Sequence, residues 1–472
     1  MKPSYQKIDA TENRNMGIAW VVLSMLLLLY SHNQWVRSLI YCLVNFGVED
    51  NEEARKEYMN IDLNFNTGQY GMLASFGFVT LYTIFCLFAG RASDIWDKKI
   101  IVVAAALVWS LATIGQGMSF SFAMVFGLRV VQGAAQAYTS PASIAMVADY
   151  FPSQGRATAN AVFSTGLYVG FALASVIIPL DTFKGWRFAC IAVGALGVVC
   201  SLVAWCVFQC ISRSKTVQQS ENMTLVSDET KSYQNEEEGR THEAPEVLSI
   251  GESLRVIGSS TPAVLALLGS CVRMCAYYAL TVWGPPYWRQ NFPEHENDYG
   301  VANAFVVCVG GVVASIGGGI ISDSLVARYP QVRAWIPAIG CFLAIPFWTA
   351  SVCVSSFYLS IGILFIEYLF AESWFGPFIA ILQDELPLNV QGITQGLFGM
   401  AFAVGNCSPA VMGIGLAYYD IRTVLIVSVG FFYMLAGTLF LICGFSIAAK
   451  DNKEKEVEQT RTLSRKHSSF AM

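Results

Sequence analysis

Gly90-Arg91-Ala92-Ser93-Asp94 and Gly319-Ile320-Ile321-Ser322-Asp323 decide the fold, because the second stretch repeats the pattern of the first in the other half of the chain. Basic residues follow both, Lys98 and Lys99 after the first and Arg328 after the second. A second pair agrees: Asp149-Tyr150-Phe151-Pro152 returns as Asp384-Glu385-Leu386-Pro387 at nearly the same offset. A lone Gly-x-x-Ser-Asp arises often by chance. Two matches at nearly equal offsets, each in a short polar break after a long apolar run, indicate a duplicated chain.

Outward from these breaks the composition is that of a membrane protein. The chain has 472 residues, 54% hydrophobic and 13% charged, whereas soluble domains carry about 25% charged residues. Crossing about 30 Å of hydrocarbon takes around twenty apolar residues. Twelve runs qualify, at 17–43, 69–90, 100–118, 121–148, 158–180, 187–209, 261–284, 299–321, 334–354, 356–382, 393–417 and 423–446. No ten-residue alternating strands occur, so helices must satisfy the backbone in lipid. The expected fold is an all-α membrane protein, with twelve transmembrane helices in two pseudo-symmetric six-helix bundles. The first bundle is placed at 16–209 and the second at 253–446, with tails at 1–15 and 447–472. The polar segment 210–252 between them cannot bury enough surface to fold alone and is expected to be disordered.

Positive charge sets the orientation. With both termini inside, the outer loops hold only Arg55, Lys56, Lys184, Arg187, Arg289 and Arg422 of the 29 Lys and Arg residues. Most of the others fall in inner segments, which places both ends, the central loop and the Gly-x-x-Ser-Asp breaks in the cytoplasm.

Several function classes are excluded. No basic patch suits nucleic acid, and no GxxxxGK[ST] loop is present for ATP. The thirteen cysteines make no CxxC and no Cys/His spacing for zinc, so no metal or other cofactor is expected. No Ser/His/Asp or paired-carboxylate constellation suggests an enzyme.

Ionisable side chains inside spans cost several kcal/mol and normally face a cavity or a partner. Here they are Arg37, Arg129, Arg273, Glu367 and Glu372, with His32 alongside. Arg129, Gln132, Gln136 and Ser140 recur at i, i+3, i+7 and i+11, a polar stripe on one helix face. Asn33 shares a face with Arg37, and Glu367 with Trp374. The arginines either pair with the glutamates and hold the helices, or grip an anionic substrate. Three arginines against two glutamates favour an anionic group on the cargo, with Arg37 or Arg273 as its partner. His32 titrates near neutral pH and is one candidate for a coupling proton, the other reading being helix packing. Glu367 is the second candidate, since a carboxyl is easier to bury with its proton on.

The loops also carry mechanical chemistry. Gly90 and Gly319 would let helices approach closely. Asp94, Asp323, Asp149 and Asp384 would accept from helix N-termini or pair with Lys98, Lys99, Arg156 or Arg328, forming a cytoplasmic gate.

Residues 90–99 resemble the signature loop of the major facilitator superfamily, with Ala92 where leucine is usual and Asp97 in place of its second glycine. Arg129-Val130-Val131-Gln132-Gly133 resembles the fourth-helix motif of that superfamily, and Arg156 and Gly185-Trp186-Arg187 fit familiar positions. The resemblance covers residues 16–446. It implies a secondary transporter in which helices one, four, seven and ten line a central cavity. A narrower similarity is to the Spinster branch, carried by Trp283-Gly284-Pro285, the 319–330 loop, and Glu367 with Trp374. It implies a lysolipid or sphingolipid cargo. Val36 stands where that branch has an aspartate before the arginine, and Gln136 where it has a glutamate.

The expected activity is therefore secondary active or facilitative transport by alternating access. The cargo is an amphipathic or anionic small molecule such as a lysolipid. A carrier of small organic anions or sugars is the alternative, and a non-transporting receptor with the same fold a further one. Protons are a candidate second partner, membrane lipid surrounds the chain, and it is expected to act as a monomer. Tyr5-Gln6-Lys7-Ile8 has the form of a sorting signal, consistent with a plasma or endolysosomal membrane.

Overall fold

The computed structural model describes residues 4–151, 159–160, 162–179, 184–226, 249–387 and 390–470. Among them every regular element is helical, as a backbone surrounded by hydrocarbon requires. Ten helices are long and apolar enough to cross a membrane, from Met16–Cys42 to Ile421–Val457. The fifth span is the shorter apolar helix Val162–Val176. The fourth is divided into Phe122–Gln136 and Thr139–Tyr150, which completes the expected twelve.

Contacts divide the chain into two compact units. One comprises Met1–Asn66 and Phe76–Glu246, the other Thr67–Ser75 and Val247–Met472. Within the first unit, span one packs along span five, two along four, and three along six. Within the second, seven packs along eleven, eight along ten, and nine along twelve. The same pairing thus occurs twice, as duplication demands.

Close approach at these seams needs glycine. At Gly170, between spans five and one, an added Cβ would lie 2.5 Å from the Ser31 carbonyl oxygen. At Gly405, between spans eleven and seven, it would lie 2.5 Å from the Met274 Cβ. These two glycines are separated by the offset that relates the two Asp-x-x-Pro stretches. At Gly319, by contrast, an added Cβ meets nothing within 4 Å. The tighter approach is one residue earlier, at Gly318 against the Ser373 carbonyl, while the Gly319 Cα would lie 3.5 Å from a Cβ added at Gly376.

The second span is shared between the units. Its first part, Thr67–Ala74, packs against Ser408–Gly415. Tyr70 Oη donates to the Val282 carbonyl at 2.8 Å, and its ring meets Trp283 edge-on at 4.9 Å. Thr67 Oγ1 donates to the Gly413 carbonyl at 3.4 Å.

Some helices run further than the apolar pattern suggests. The helix of span one begins at Ser4, that of span six continues to Val226, and the last runs Ile421–Phe470. The segment before span seven folds as Ile250–Ser259, started by a capping box of Ser249 and Glu252. These helices enter the segments 1–15, 210–252 and 447–472.

Candidate functional site

In the first unit the buried polar residues form one network. Arg129 is fully buried on span four. Its Nη2 donates to the Arg37 carbonyl at 2.6 Å and its Nη1 to the Val36 carbonyl at 3.4 Å and Gln132 Oε1 at 3.2 Å. The guanidinium also lies 5.2 Å from the Phe78 ring. Gln132 donates to Thr113 Oγ1 at 2.8 Å, and Gln116 donates to Gln132 Oε1 at 3.1 Å. Arg129 thereby ties span four to span one through main-chain carbonyls. Arg37 is buried with its guanidinium 4.4 Å from the Phe78 ring and 5.6 Å from the Tyr82 ring, cation–π geometry. Asn33 Nδ2 donates to Thr139 Oγ1 at 3.3 Å, and Gln136 Nε2 to the Asn33 carbonyl at 3.3 Å.

His32 is engaged at both ring nitrogens. An indole N–H can only donate, so Trp109 Nε1, 3.1 Å away, makes Nδ1 the acceptor. The remaining proton sits on Nε2, which donates to the Val193 carbonyl at 3.0 Å. Gly197 leaves room for the ring, since an added Cβ would lie 2.1 Å from His32 Cε1. The residue bridges spans one, three and six, the packing role that was weighed against proton coupling.

The second unit buries an acidic cluster. The tenth span is interrupted by the tight turn Glu372–Trp374 between Phe357–Ala371 and Phe375–Glu385. The break frees the Ala371 carbonyl, and Arg273 Nη2 donates both to it and to Glu372 Oε1, each at 2.8 Å. The Arg273 guanidinium lies 5.0 Å from the Tyr433 ring and 5.8 Å from the Trp374 ring. Its Nε and Nη1 are buried without a hydrogen-bond partner. Glu367, fully buried, accepts from Tyr433 Oη at 2.6 Å on one oxygen, and its other oxygen has no partner. Trp374 packs with Phe375, Phe378 and Phe398.

The loop residues pair within each unit. Lys98 Nζ meets Asp149 Oδ2 at 2.6 Å, Lys99 Nζ meets Ser212 Oγ at 2.5 Å, and Asp97 caps span three by accepting from the Lys99 amide at 2.9 Å. In the second unit Arg333 pairs with Asp384 and reaches Asp323 at 3.9 Å. Arg328 lies over the Tyr329 ring at 5.3 Å. The surroundings of Gly90, the side chain of Asp94 and the whole of Arg156 lie outside the described residues. Sequence reasoning missed Arg333 and Tyr433. Arg333 was findable, since it follows Lys98 at the same offset at which its partner Asp384 follows Asp149. No comparable signal marks Tyr433, whose contact with Glu367 joins two helices distant in sequence.

Comparison with known proteins gives a consistent result. Residues 54–408 match the model of the Major Facilitator Superfamily. The chain is similar to the probable galactarate/D-glucarate transporter of Escherichia coli K12, at 25% identity over 88% of this chain and 89% of that one. It is also similar to the D-galactonate transporter of Escherichia coli O6:H1, at 25% identity over 71% of this chain and 78% of the relative. In structure it is similar to an inward-facing bacterial homolog of the human lysosomal transporter Spinster. The TM-score is 0.72 at 18% identity, over 92% of this chain and 98% of that one.

Proposed function

Because the chain belongs to the Major Facilitator Superfamily, a family of membrane transporters, we propose that it carries small organic anions, polyhydroxylated carboxylates of the sugar-acid class, by alternating access. The observation that carries this reading is Arg273, a fully buried guanidinium whose Nε and Nη1 have no hydrogen-bond partner. Arg37 is the second candidate grip. The relatives point the same way, since their names specify galactarate, D-glucarate and D-galactonate. The lysolipid expectation has less behind it. It rested on a branch resemblance, and likeness to the Spinster homolog at 18% identity speaks to the fold alone.

Thermal unfolding of the purified protein against a ligand panel tests the reading. At a hundredfold excess over its dissociation constant, galactarate or D-galactonate stabilises the protein by about 2.7 kcal/mol, while glucose, the neutral control, does not. Stabilisation by lysophosphatidylcholine with no response to either acid would overturn it and restore the lipid reading. Arg37→Gln should lower galactarate uptake by about tenfold or more through loss of a charge-assisted contact; uptake equal to the parent would remove Arg37 from the site.

A further inference from the structure

Three of the thirteen cysteines are exposed, and two of these, Cys206 and Cys210, lie one turn apart on span six. That span runs Trp186–Ser212 and presents two unlike faces. Ser201, Ala204, Phe208 and Ile211 are buried. Val199, Leu202 and Val203 are exposed and continue into Cys206 and Cys210, so on a membrane-spanning helix this second face meets lipid.

The depth of Cys210 follows from its neighbours. Two residues on, Ser212 Oγ accepts from the Lys99 ammonium at 2.5 Å, and an ammonium keeps to the watery edge of a bilayer. Arg213 and Lys215 follow in sequence and mark that edge as the cytoplasmic one. At about 1.5 Å per residue, Cys210 lies about 3 Å inside the level of Ser212 and Cys206 about 9 Å inside it. A helical side chain leans towards its own helix N-terminus. Span six enters from the outer side, so the Cys210 sulfur points back into the inner leaflet, along Cys206, Val203 and Val199.

We propose that Cys210 is a site of S-acylation, carrying a long-chain fatty acyl group as a thioester. The donor is a fatty acyl-coenzyme A, and the transfer involves no redox change. The Cys210 sulfur bonds to the acyl carbon, and the bond from that carbon to the coenzyme A sulfur breaks. Coenzyme A leaves as its thiol, with the proton the cysteine gave up. The reacting carbon stays near the polar level of Ser212 while the acyl chain lies along the apolar face. Cys206, one turn deeper, is out of reach of a donor whose nucleotide stays in water. The acyl chain anchors span six where its helix leaves the bilayer towards Val226. The assignment is independent of the cargo.

Acyl-exchange counting on the full-length protein made in yeast cells tests this. Free thiols are blocked, thioesters are cleaved with hydroxylamine, and each released thiol is tagged with a polyethylene-glycol maleimide that adds one mass step on a gel. The parent should gain one hydroxylamine-dependent step, and Cys210→Ser should lose it while reaching the membrane at the parent level. Cys206→Ser and Cys353→Ser should both keep the step. Cys353, exposed at the end of span nine that the charge distribution assigns to the outer side, controls for exposure without cytoplasmic access. No step in the parent, a step retained in Cys210→Ser, or a step lost from Cys206→Ser or Cys353→Ser would overturn the assignment.

Discussion

The two halves share an architecture and differ in the charge they bury. The first buries Arg37 and Arg129 among aromatic rings and main-chain carbonyls, and no buried carboxyl occurs among its described residues. The second buries Arg273 against Glu372, Glu367 against Tyr433, and Arg289 against Glu296. Gln132 and Glu367 are related by the same offset as Gly170 and Gly405, so an amide in one half stands where a carboxyl stands in the other. The amide is satisfied by Thr113, Gln116 and Arg129, while the carboxyl keeps one oxygen bare. Duplication has therefore preserved what packs the helices, such as those two glycines, and let the chemistry between them diverge.

The sharpest way to break this comparison is to delete the cations. Arg273→Ala leaves Glu372 buried without its counter-charge and should cost about 3–5 kcal/mol in unfolding experiments in detergent. Arg129→Ala leaves the neutral Val36 and Arg37 carbonyls unmet and should cost about 1–3 kcal/mol. Equal losses would show that the first half depends on an ion pair as much as the second does. Gly170→Leu and Gly405→Leu should each cost about 1–3 kcal/mol by overpacking the matching seams, and a large inequality between them would limit the symmetry to sequence. His32→Gln should lower stability by about 1 kcal/mol through a lost hydrogen bond and leave transport in place; lost transport at unchanged stability would give the histidine a role beyond packing. The smallest effects belong to Lys98→Ala and Arg333→Ala, under about 1 kcal/mol each, because Asp149 and Asp384 are half-exposed.

The twelve spans were legible because around twenty consecutive apolar residues are a local signal that lipid makes decisive. The nearly equal offsets between the halves were legible in loops where few residue types stand out. The breaks in spans four and ten were not, since the polar residues Gln136, Thr139 and Glu372 read as side chains facing a cavity from a continuous helix rather than as a turn. The buried ionisable residues were found by type, as Arg129 and Glu367 show. Their partners were not, because the carbonyls of Val36 and Arg37 carry no side-chain signature and Tyr433 reads as one more aromatic in an apolar helix. Gly319 was chosen over Gly318 because the motif names the former, whereas helix rotation decides which of two adjacent glycines faces a neighbour.

The stretch Thr67–Ala74 has a consequence for how the protein is made. Thr67 finds the Gly413 carbonyl 346 residues later in the chain. At about 5–20 residues per second, the ribosome needs some tens of seconds to produce that partner. Throughout that interval the Thr67 hydroxyl waits for its partner, and the Tyr70 hydroxyl waits 212 residues for the Val282 carbonyl. Completion of an early helix is thus one of the last events of biogenesis, and a chaperone or insertase would meet its polar face first.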